Sequence, residues 1–325
     1  MICRDGRCPI KLAPVFKDYL WGGERLKTEF DKQTDLSPVA ESWECSTHPD
    51  GECIVAQGRY EGMTLTELLK EHPDWLGTHP DVAKGLPVLI KLIDAESDLS
   101  VQVHPDDGFA WRYEGQPGKT EMWYVIDAKP GAQLVYGFKH EVTAADVRKY
   151  IEENTLIRHL QRVEVHKGDV FFIPPGTVHA IGAGALIAEI QQSSNVTYRL
   201  YDYGRRGADG KLRELHIEKA LAVMDMSKSR EVRQRMRVLK YRPNCARELL
   251  GRCKYFQVER LLFNGGSILR SDSLSFIAVL VTEGAMCLEA RNGAVTLKRG
   301  ECAFIPADCG EVRIDGFGEA VVTKC

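Results

Sequence analysis

The sequence predicts a mainly β protein built as a sandwich or barrel, and three observations lead there. Between Val163 and Ile190, short strand-like runs are separated by Lys167-Gly168, Pro174-Pro-Gly176 and Gly182-Ala-Gly184. Strands this short with turns this regular belong to antiparallel all-β architectures and not to a parallel α/β sheet. A second β-rich block runs from Phe256 to the end of the sequence. The two blocks also share a unit: Lys167-Gly-Asp-Val-Phe-Phe-Ile-Pro-Pro175 resembles Arg299-Gly-Glu-Cys-Ala-Phe-Ile-Pro-Ala307, so a strand-turn element recurs. In the second copy Glu311 stands where His179 would align, and the C-terminal block reads as a duplicate that serves packing and holds no metal.

Composition sets the outer bounds. A chain of 325 residues is long enough for one large core or two moderate ones. With 44% hydrophobic and 27% charged residues it is of ordinary globular make-up, and a net charge of −3 gives no reason to expect nucleic acid or an acidic membrane as partner. A small local basic cluster for a phosphate is compatible with that balance. None of the ten cysteines forms a Cys-x-x-Cys pair and the N-terminus has no apolar signal segment, so a reduced cytoplasmic protein is expected. No apolar run approaches the ~20 residues of a membrane span, and a soluble protein is expected.

Taken in order, Pro9 to Phe16 reads as an edge-like strand, because prolines at 9 and 14 argue against a central one. Ala40 to Ser46 alternates polar and apolar residues, the pattern of a half-buried strand, with Glu41 and Trp43 either lining a cavity or lying on a solvated face. Thr64-Leu-Thr-Glu67 is a capping box that opens a helix ending before His72-Pro73. Pro87 to Ile93 is a nearly continuous apolar run, expected to be a strand buried on both faces. Lys91 interrupts that run, and either snorkels to an edge or pairs in a cavity.

After the Leu99 to Asp107 stretch, Pro105 to Arg112 reads as a helical turn with acids near its N-terminus. Met122 to Ala128 and Ala132 to Phe138 flank Lys129-Pro-Gly131, which reads as a hairpin. Thr143 caps a surface helix through Glu153 with Val147, Tyr150 and Ile151 on one stripe. From Leu215 to about Arg252 the pattern is helical, then extended and basic, and the charged run from Lys228 to Arg237 reads as a solvated helix or linker.

The chemistry concentrates in Leu99-Ser-Val-Gln-Val-His-Pro-Asp-Asp107. Strand side chains alternate faces, so Gln102 and His104 look one way while Val101 and Val103 look the other. Lys119 and Glu121 are again two apart, and His179 follows a strand and a Pro-Pro-Gly turn. Gln102, His104, Glu121 and His179 offer two imidazoles, one carboxylate and one amide oxygen without a thiolate. That set suits a borderline divalent ion such as zinc, with positions left open for water or substrate. Each residue taken singly is more often an ordinary hydrogen-bonded side chain; the combination across three segments changes that balance.

These stretches resemble the cupin superfamily and, more narrowly, the type I mannose-6-phosphate isomerases in their shorter bacterial form. The resemblance rests on Leu-Ser-Val-Gln-Val-His-Pro-Asp at 99–106, Gly-Lys-Thr-Glu-Met-Trp-Tyr at 118–124, Pro-Pro-Gly-Thr-Val-His at 174–179 and Asn-Val-Thr-Tyr-Arg-Leu-Tyr-Asp-Tyr-Gly at 195–204. It covers about residues 10–220, and the C-terminal block fits as well. It implies two cupin-type jelly-roll barrels: 1–250 as the metal-binding catalytic unit with helical insertions at about 60–85 and 143–153, and 251–325 as a degenerate unit without a metal site.

The resemblance also implies one zinc ion per chain on Gln102, His104, Glu121 and His179, Arg199 as the active-site arginine, Lys119 and Glu189 as polar groups beside the substrate, and Ser100 as a phosphate contact. Asn195 stands where many relatives carry an acid, which touches fine contacts and not the ligand set. The implied activity interconverts mannose 6-phosphate and fructose 6-phosphate, with a small sugar phosphate as partner and a monomer or homodimer as the working form.

Aldose-ketose isomerisation requires a proton to move between C1 and C2. Lys119 is the leading candidate, since charge repulsion and desolvation beside a metal favour a neutral lysine; alternatively it only orients a ligand through a salt bridge to Glu121 or Glu189. Glu189 is the rival base. Arg199 either clamps the phosphate or enediolate through its planar fork or binds Asp202 or main-chain carbonyls. Tyr198, Tyr201 and Tyr203 read as wall packing. Two further readings are an iron-dependent cupin oxygenase and a non-catalytic sugar-phosphate-binding cupin; Gln102 and Lys119 argue against the first, and intact Lys119 and Arg199 against the second.

Overall fold

The computed structural model describes residues 6–81, 84–207, 210–230 and 238–325. Two antiparallel sheets face each other in the first half of the chain. The six-stranded one runs, in spatial order, Val170–Ile173, Glu121–Ala128, Ala185–Gln192, Val88–Asp94, Glu41–Cys45 and Val15–Lys17. The five-stranded one runs Leu160–Glu164, Gln133–Phe138, His179–Ile181, Val101–Val103 and Tyr198–Tyr201. Trp123, Val125 and Ile187 of the first pack with Leu134 and Ile181 of the second in one apolar core, which closes the bottom of the space between the sheets.

A ten-stranded sheet makes the second body. Its path runs from Leu239–Arg242 through Cys245–Arg252, Gln257–Asn264, Gly310–Lys324, Ile277–Ala290 and Cys302–Ile305 to Ile10–Ala13 and Ile54–Val55, with Ser267–Ser271 and Gly293–Lys298 attached at the side. The two longest strands pair along most of their length, and where Gly284 faces Gly318 a Cβ on Gly284 would lie 2.1 Å from the Phe317 carbonyl oxygen. Only glycine lets two backbones approach that closely. A separate core including Leu261, Val279, Leu288 and Ile314 fills this body.

Several sequence expectations are met. Leu65–Glu71 is a helix with a complete Thr64–Glu67 capping box, and Ala144–Glu152 is another, capped in the same way by Thr143 and Asp146. Val88–Asp94 is buried along its whole length. Ile217–Val223 is helical and extended chain follows from Leu239; residues 231–237 of the charged run lie outside the described residues.

Three expectations need correction. Glu121–Ala128 and Gln133–Phe138 do not form a hairpin: they lie in different sheets, and the Lys129-Pro-Gly131 turn carries the chain across the core from one to the other. Glu41–Cys45 is buried at every residue, not half-buried. Its polar residues alternate because Glu41 pairs with Lys91 while Glu44, on the other face, pairs with Lys32 at 2.6 Å. The N-terminal run is two strands broken at Pro14; Val15–Lys17 is an edge, but Ile10–Ala13 is flanked on both sides, by Cys302–Ile305 and Ile54–Val55.

Candidate active site

Direct cross-strand partners share a face of a sheet. In the five-stranded sheet Tyr136 lies opposite His179, His179 opposite Gln102, and Gln102 opposite Arg199, so one row of side chains crosses four strands. In the six-stranded sheet a facing row holds Trp123, Glu189 and Lys91, with Trp43 opposite Lys91 and Glu121 one step along. The polar ends of the two rows meet above the apolar core.

His104, Glu121 and His179 converge at their centre, with one ligand atom from each within 4.8 Å of the others, and all three are buried. Each imidazole is oriented by a main-chain carbonyl: His104 Nδ1 lies 2.8 Å from Val196 O and His179 Nδ1 2.8 Å from Thr177 O. This leaves both Nε2 atoms facing the carboxylate, the arrangement by which an outer partner fixes a ligating histidine. His179 Nε2 is 3.2 Å from Glu121 Oε1 and His104 Nε2 3.7 Å from Oε2. Glu121 accepts no hydrogen bond of good geometry at either oxygen, and His104 Nε2 has none. Two imidazole nitrogens and a carboxylate buried and aimed at one point, with no hydrogen bond of good geometry at His104 Nε2 or Glu121, carry a penalty that a divalent cation removes, so the donor set fits a metal ion.

Gln102, half-buried, brings its Nε2 to 3.4 Å from His179 Nε2, and Ser100 Oγ lies 3.5 Å from Gln102 Oε1. As a ligand, Gln102 would turn its amide to present oxygen. Lys119 is buried with Nζ 3.1 Å from Glu121 Oε2, so the predicted pairing with a candidate ligand is present. The Glu189 carboxylate accepts from Trp123 Nε1 at 3.0 Å and stands 3.3 Å from Lys91 Nζ, which is also 3.3 Å from Glu41.

Burial raises both carboxyl groups. At Glu189 the charges of Lys119 and Lys91 and the Trp123 N–H outweigh it, and the group is held well below the usual carboxylate range. At Glu121 burial prevails over Lys119 and pushes the group up. A cation bound there would reverse that balance.

Arg199 reaches a main-chain carbonyl, with Nη1 2.9 Å from Glu214 O, while its Nε is buried without a partner. Asp202, the alternative partner, is taken by Arg205 and Arg213. Tyr198 packs as wall and donates to Glu114 at 2.7 Å. Glu311 is exposed and pairs with Arg270 at 3.0 Å.

The sequence reading singled out neither Trp123 nor Arg213. Trp123 had a legible signal, standing two residues after Glu121 on the same face. A cavity of about 1170 Å³ lies against Trp111, Arg252, Tyr255 and Lys324, and none of the predicted site residues lines it.

Residues 10–154 match the family model described as phosphomannose isomerase type I, catalytic domain, and residues 247–325 match mannose-6-phosphate isomerase, cupin domain. Mannose-6-phosphate isomerase ManA of Bacillus subtilis (strain 168) is 36% identical over 316 residues, which span 97% of this chain and 98% of that protein. This chain belongs to the type I phosphomannose isomerase family.

Within that family, a mannose-6-phosphate isomerase of Streptococcus mutans is 34% identical over 97% of this chain and 98% of its own length. The crystal structure of the mannose 6-phosphate isomerase from Bacillus subtilis superposes with a TM-score of 0.88 at 34% identity, over 97% of this chain and 99% of that one. Gln102, His104, Lys119 and Glu121 fall inside the catalytic-domain match, whereas His179, Glu189 and Arg199 fall between the two family matches. Among the described residues no helix is long and apolar enough to cross a membrane.

Proposed function

We propose that this phosphomannose isomerase interconverts mannose 6-phosphate and fructose 6-phosphate in the pocket between the two sheets, using one zinc ion on Gln102, His104, Glu121 and His179. The observation that carries the reading is the convergence of His104 Nε2, His179 Nε2 and the Glu121 carboxylate on one buried point. Two imidazoles, a carboxylate and an amide oxygen without thiolate favour zinc with open positions. The bound ion supplies Lewis-acid stabilisation of the negative charge that develops on the sugar oxygens.

The rest is the work of the side chains. Lys119, on the rim of the candidate metal site, moves the proton between C1 and C2. Glu189 is the weaker candidate, because its carboxylate is already engaged by Trp123 and Lys91, which lowers its basicity and fixes its place. Arg199 steadies the enediolate or the phosphate, and Ser100 contacts the phosphate. Residues 1–250 carry the catalytic unit and 251–325 the packing unit, with Ile10–Ala13, Ile54–Val55, Leu239–Arg242 and Cys245–Arg252 lent to the sheet of the latter. The enzyme works in the cytoplasm as a monomer or homodimer on a small sugar phosphate, with neither nucleic acid nor membrane as partner.

The test is turnover of mannose 6-phosphate to fructose 6-phosphate before chelation, after it, and after zinc is returned. Activity that disappears and comes back supports the reading; no turnover by folded, zinc-loaded protein overturns it. Lys119→Met is expected to lower kcat by about 100-fold or more at unchanged metal content, and Glu189→Gln by less. The reverse order would make Glu189 the base.

A further inference from the structure

Lys119 stands outside the sheet. The Glu121–Ala128 strand begins two residues after it, so the main chain of residues 118–120 has to be fixed by other means. Its three N–H groups are all satisfied: Gly118 N donates to Asp107 Oδ1 at 3.0 Å, Lys119 N to Pro105 O at 3.0 Å, and Thr120 N to Gln192 Oε1 at 2.9 Å. Gln192 N donates back to Thr120 O at 3.0 Å, so a side chain stands in for the next rung of the ladder that pairs Glu121 with Gln191. The fit is close, since a Cβ on Gly118 would lie 2.4 Å from the Asp106 carbonyl carbon.

The two side chains of this clamp are themselves joined. Gln192 Nε2 donates to Asp107 Oδ1 at 2.9 Å, the oxygen that also takes the Gly118 N–H. The other oxygen, Oδ2, accepts from the hydroxyl of Tyr255 at 2.7 Å. Tyr255 belongs to the C-terminal body, in the turn between Cys245–Arg252 and Gln257–Asn264. A line of hydrogen bonds therefore runs from the ten-stranded sheet through one carboxylate to the peptide that carries Lys119.

Burial works against a charge on Asp107, but Tyr255, Gln192, the Gly118 N–H and the nearby Lys254 outweigh it and hold the carboxyl below its usual range. Burial and then Asp107 push the Tyr255 phenol up, so the hydroxyl keeps its proton and donates. Hydrogen bonds to an ionised acceptor are roughly twice as strong as neutral ones. Asp107 also follows His104 by three residues and Gln192 follows Glu189 by three, so the clamp ties together the segments that bear a candidate ligand and the rival base.

We propose that Tyr255 is a positioning residue for the isomerisation: through Asp107 and Gln192 it holds the 118–120 main chain, and with it the Lys119 side chain, in register with the pocket. The C-terminal body thus does more than pack. The proposal rests on the reading of Lys119 as the group that moves the proton. A reacting group misplaced by about 1 Å can cost about 100-fold in rate, so a hydroxyl two hydrogen bonds removed from the Lys119 peptide acts on kcat.

The experiment uses the whole zinc-loaded chain and the variants Tyr255→Phe, Asp107→Ala and their combination. Tyr255→Phe keeps the ring and removes only the donor. It is expected to lower kcat about tenfold, with KM for mannose 6-phosphate and zinc content within about twofold of the parent. Asp107→Ala is expected to lose at least as much, and Tyr255→Phe to cost less than about twofold more in that background, because both act through one line of bonds. The amide hydrogens of Gly118 and Thr120 are expected to exchange faster in Tyr255→Phe than in the parent.

An unchanged kcat in Tyr255→Phe overturns the proposal, as does a loss that repeats in full on top of Asp107→Ala. A raised KM with loss of zinc at unchanged amide exchange would make Tyr255 a general support of the fold, and overturns it too. Should Asp107→Ala not fold, kcat and amide exchange of Tyr255→Phe decide alone. If Lys119→Met keeps the parent kcat, or the parent turns over no mannose 6-phosphate, the reading of Lys119 fails by itself. Amide exchange then decides the clamp separately: faster exchange at Gly118 and Thr120 in Tyr255→Phe supports it, and equal exchange overturns it.

Discussion

Lys91 interrupts a strand that is otherwise apolar, and its position is maintained by two carboxylates, Glu41 and Glu189, each 3.3 Å away. Burial alone would lower its pKa; the two acids reverse that and raise it. Replacing it by methionine keeps the volume but leaves two buried acids without their cation. Lys91→Met is expected to lose about 3–5 kcal/mol of stability, measured by urea denaturation. A loss below about 1 kcal/mol would mean that water already reaches the group.

The two histidines give a pH signature in metal-free protein. Burial pushes His104 well down and His179 down to about 4. A histidine whose folded pKa lies below its unfolded value of about 6.5 contributes fully above pH 6.5, and its contribution is lost as pH falls toward the folded value. Chelated protein should therefore lose about 2 kcal/mol from His179 alone between pH 7 and pH 5. Flat stability over that window would show that the imidazoles are solvated in the absence of metal. At this scale the sequence was most informative where the rule is local: the alternation of strand faces paired Gln102 with His104 and Lys119 with Glu121. It could not assign partners to Lys91, because Glu41 and Glu189 come from distant strands that only the fold brings alongside.

The recurring strand-turn unit can be tested as an element. Gly168 and Gly300 occupy equivalent places and both adopt positive φ, 88° and 84°. A Cβ on Gly168 meets nothing within 4 Å, whereas one on Gly300 would lie 2.7 Å from the Phe30 ring. Gly168→Ala is therefore expected to cost about 1 kcal/mol from backbone strain alone and Gly300→Ala clearly more, by thermal unfolding of the two variants. Equal costs would show that Phe30 moves aside freely. The unit itself was legible because its turn chemistry is carried by consecutive residues. The supposed hairpin at Lys129-Pro-Gly131 failed for the converse reason: the turn is local and correctly placed, but the sheet that receives each flanking strand is decided by pairing with strands far along the chain.

At the scale of the molecule, the largest apolar cluster joins residues of both bodies, including Ile10, Val88, Met122, Leu250, Phe276 and Phe304. Tyr124 of the six-stranded sheet donates to Glu319 of the ten-stranded sheet at 2.7 Å, deep between them. Calorimetry is expected to show a single unfolding endotherm whose van't Hoff and calorimetric enthalpies agree. Two separated endotherms would make the bodies independent. Short strands and regular turn spacing foretold the β architecture. They did not foretell that Ile10–Ala13 leaves the neighbourhood of its own sequence to lie against Cys302–Ile305, since a strand's partner is not written in its own residues.

That placement has a consequence for how the protein is made. Ile10 pairs with Phe304, so this strand, which meets Ile54–Val55 early on one side, finds the partner on its other side only after about 290 further residues have been added. At about 5–20 residues per second, that is a wait of roughly 15–60 s. During the wait its apolar side chains, Ile10 and Leu12, and its open backbone edge stand available to any nascent neighbour. The strand Cys302–Ile305 thus closes over one made long before it, and a shielding chaperone has its greatest effect just before that closure.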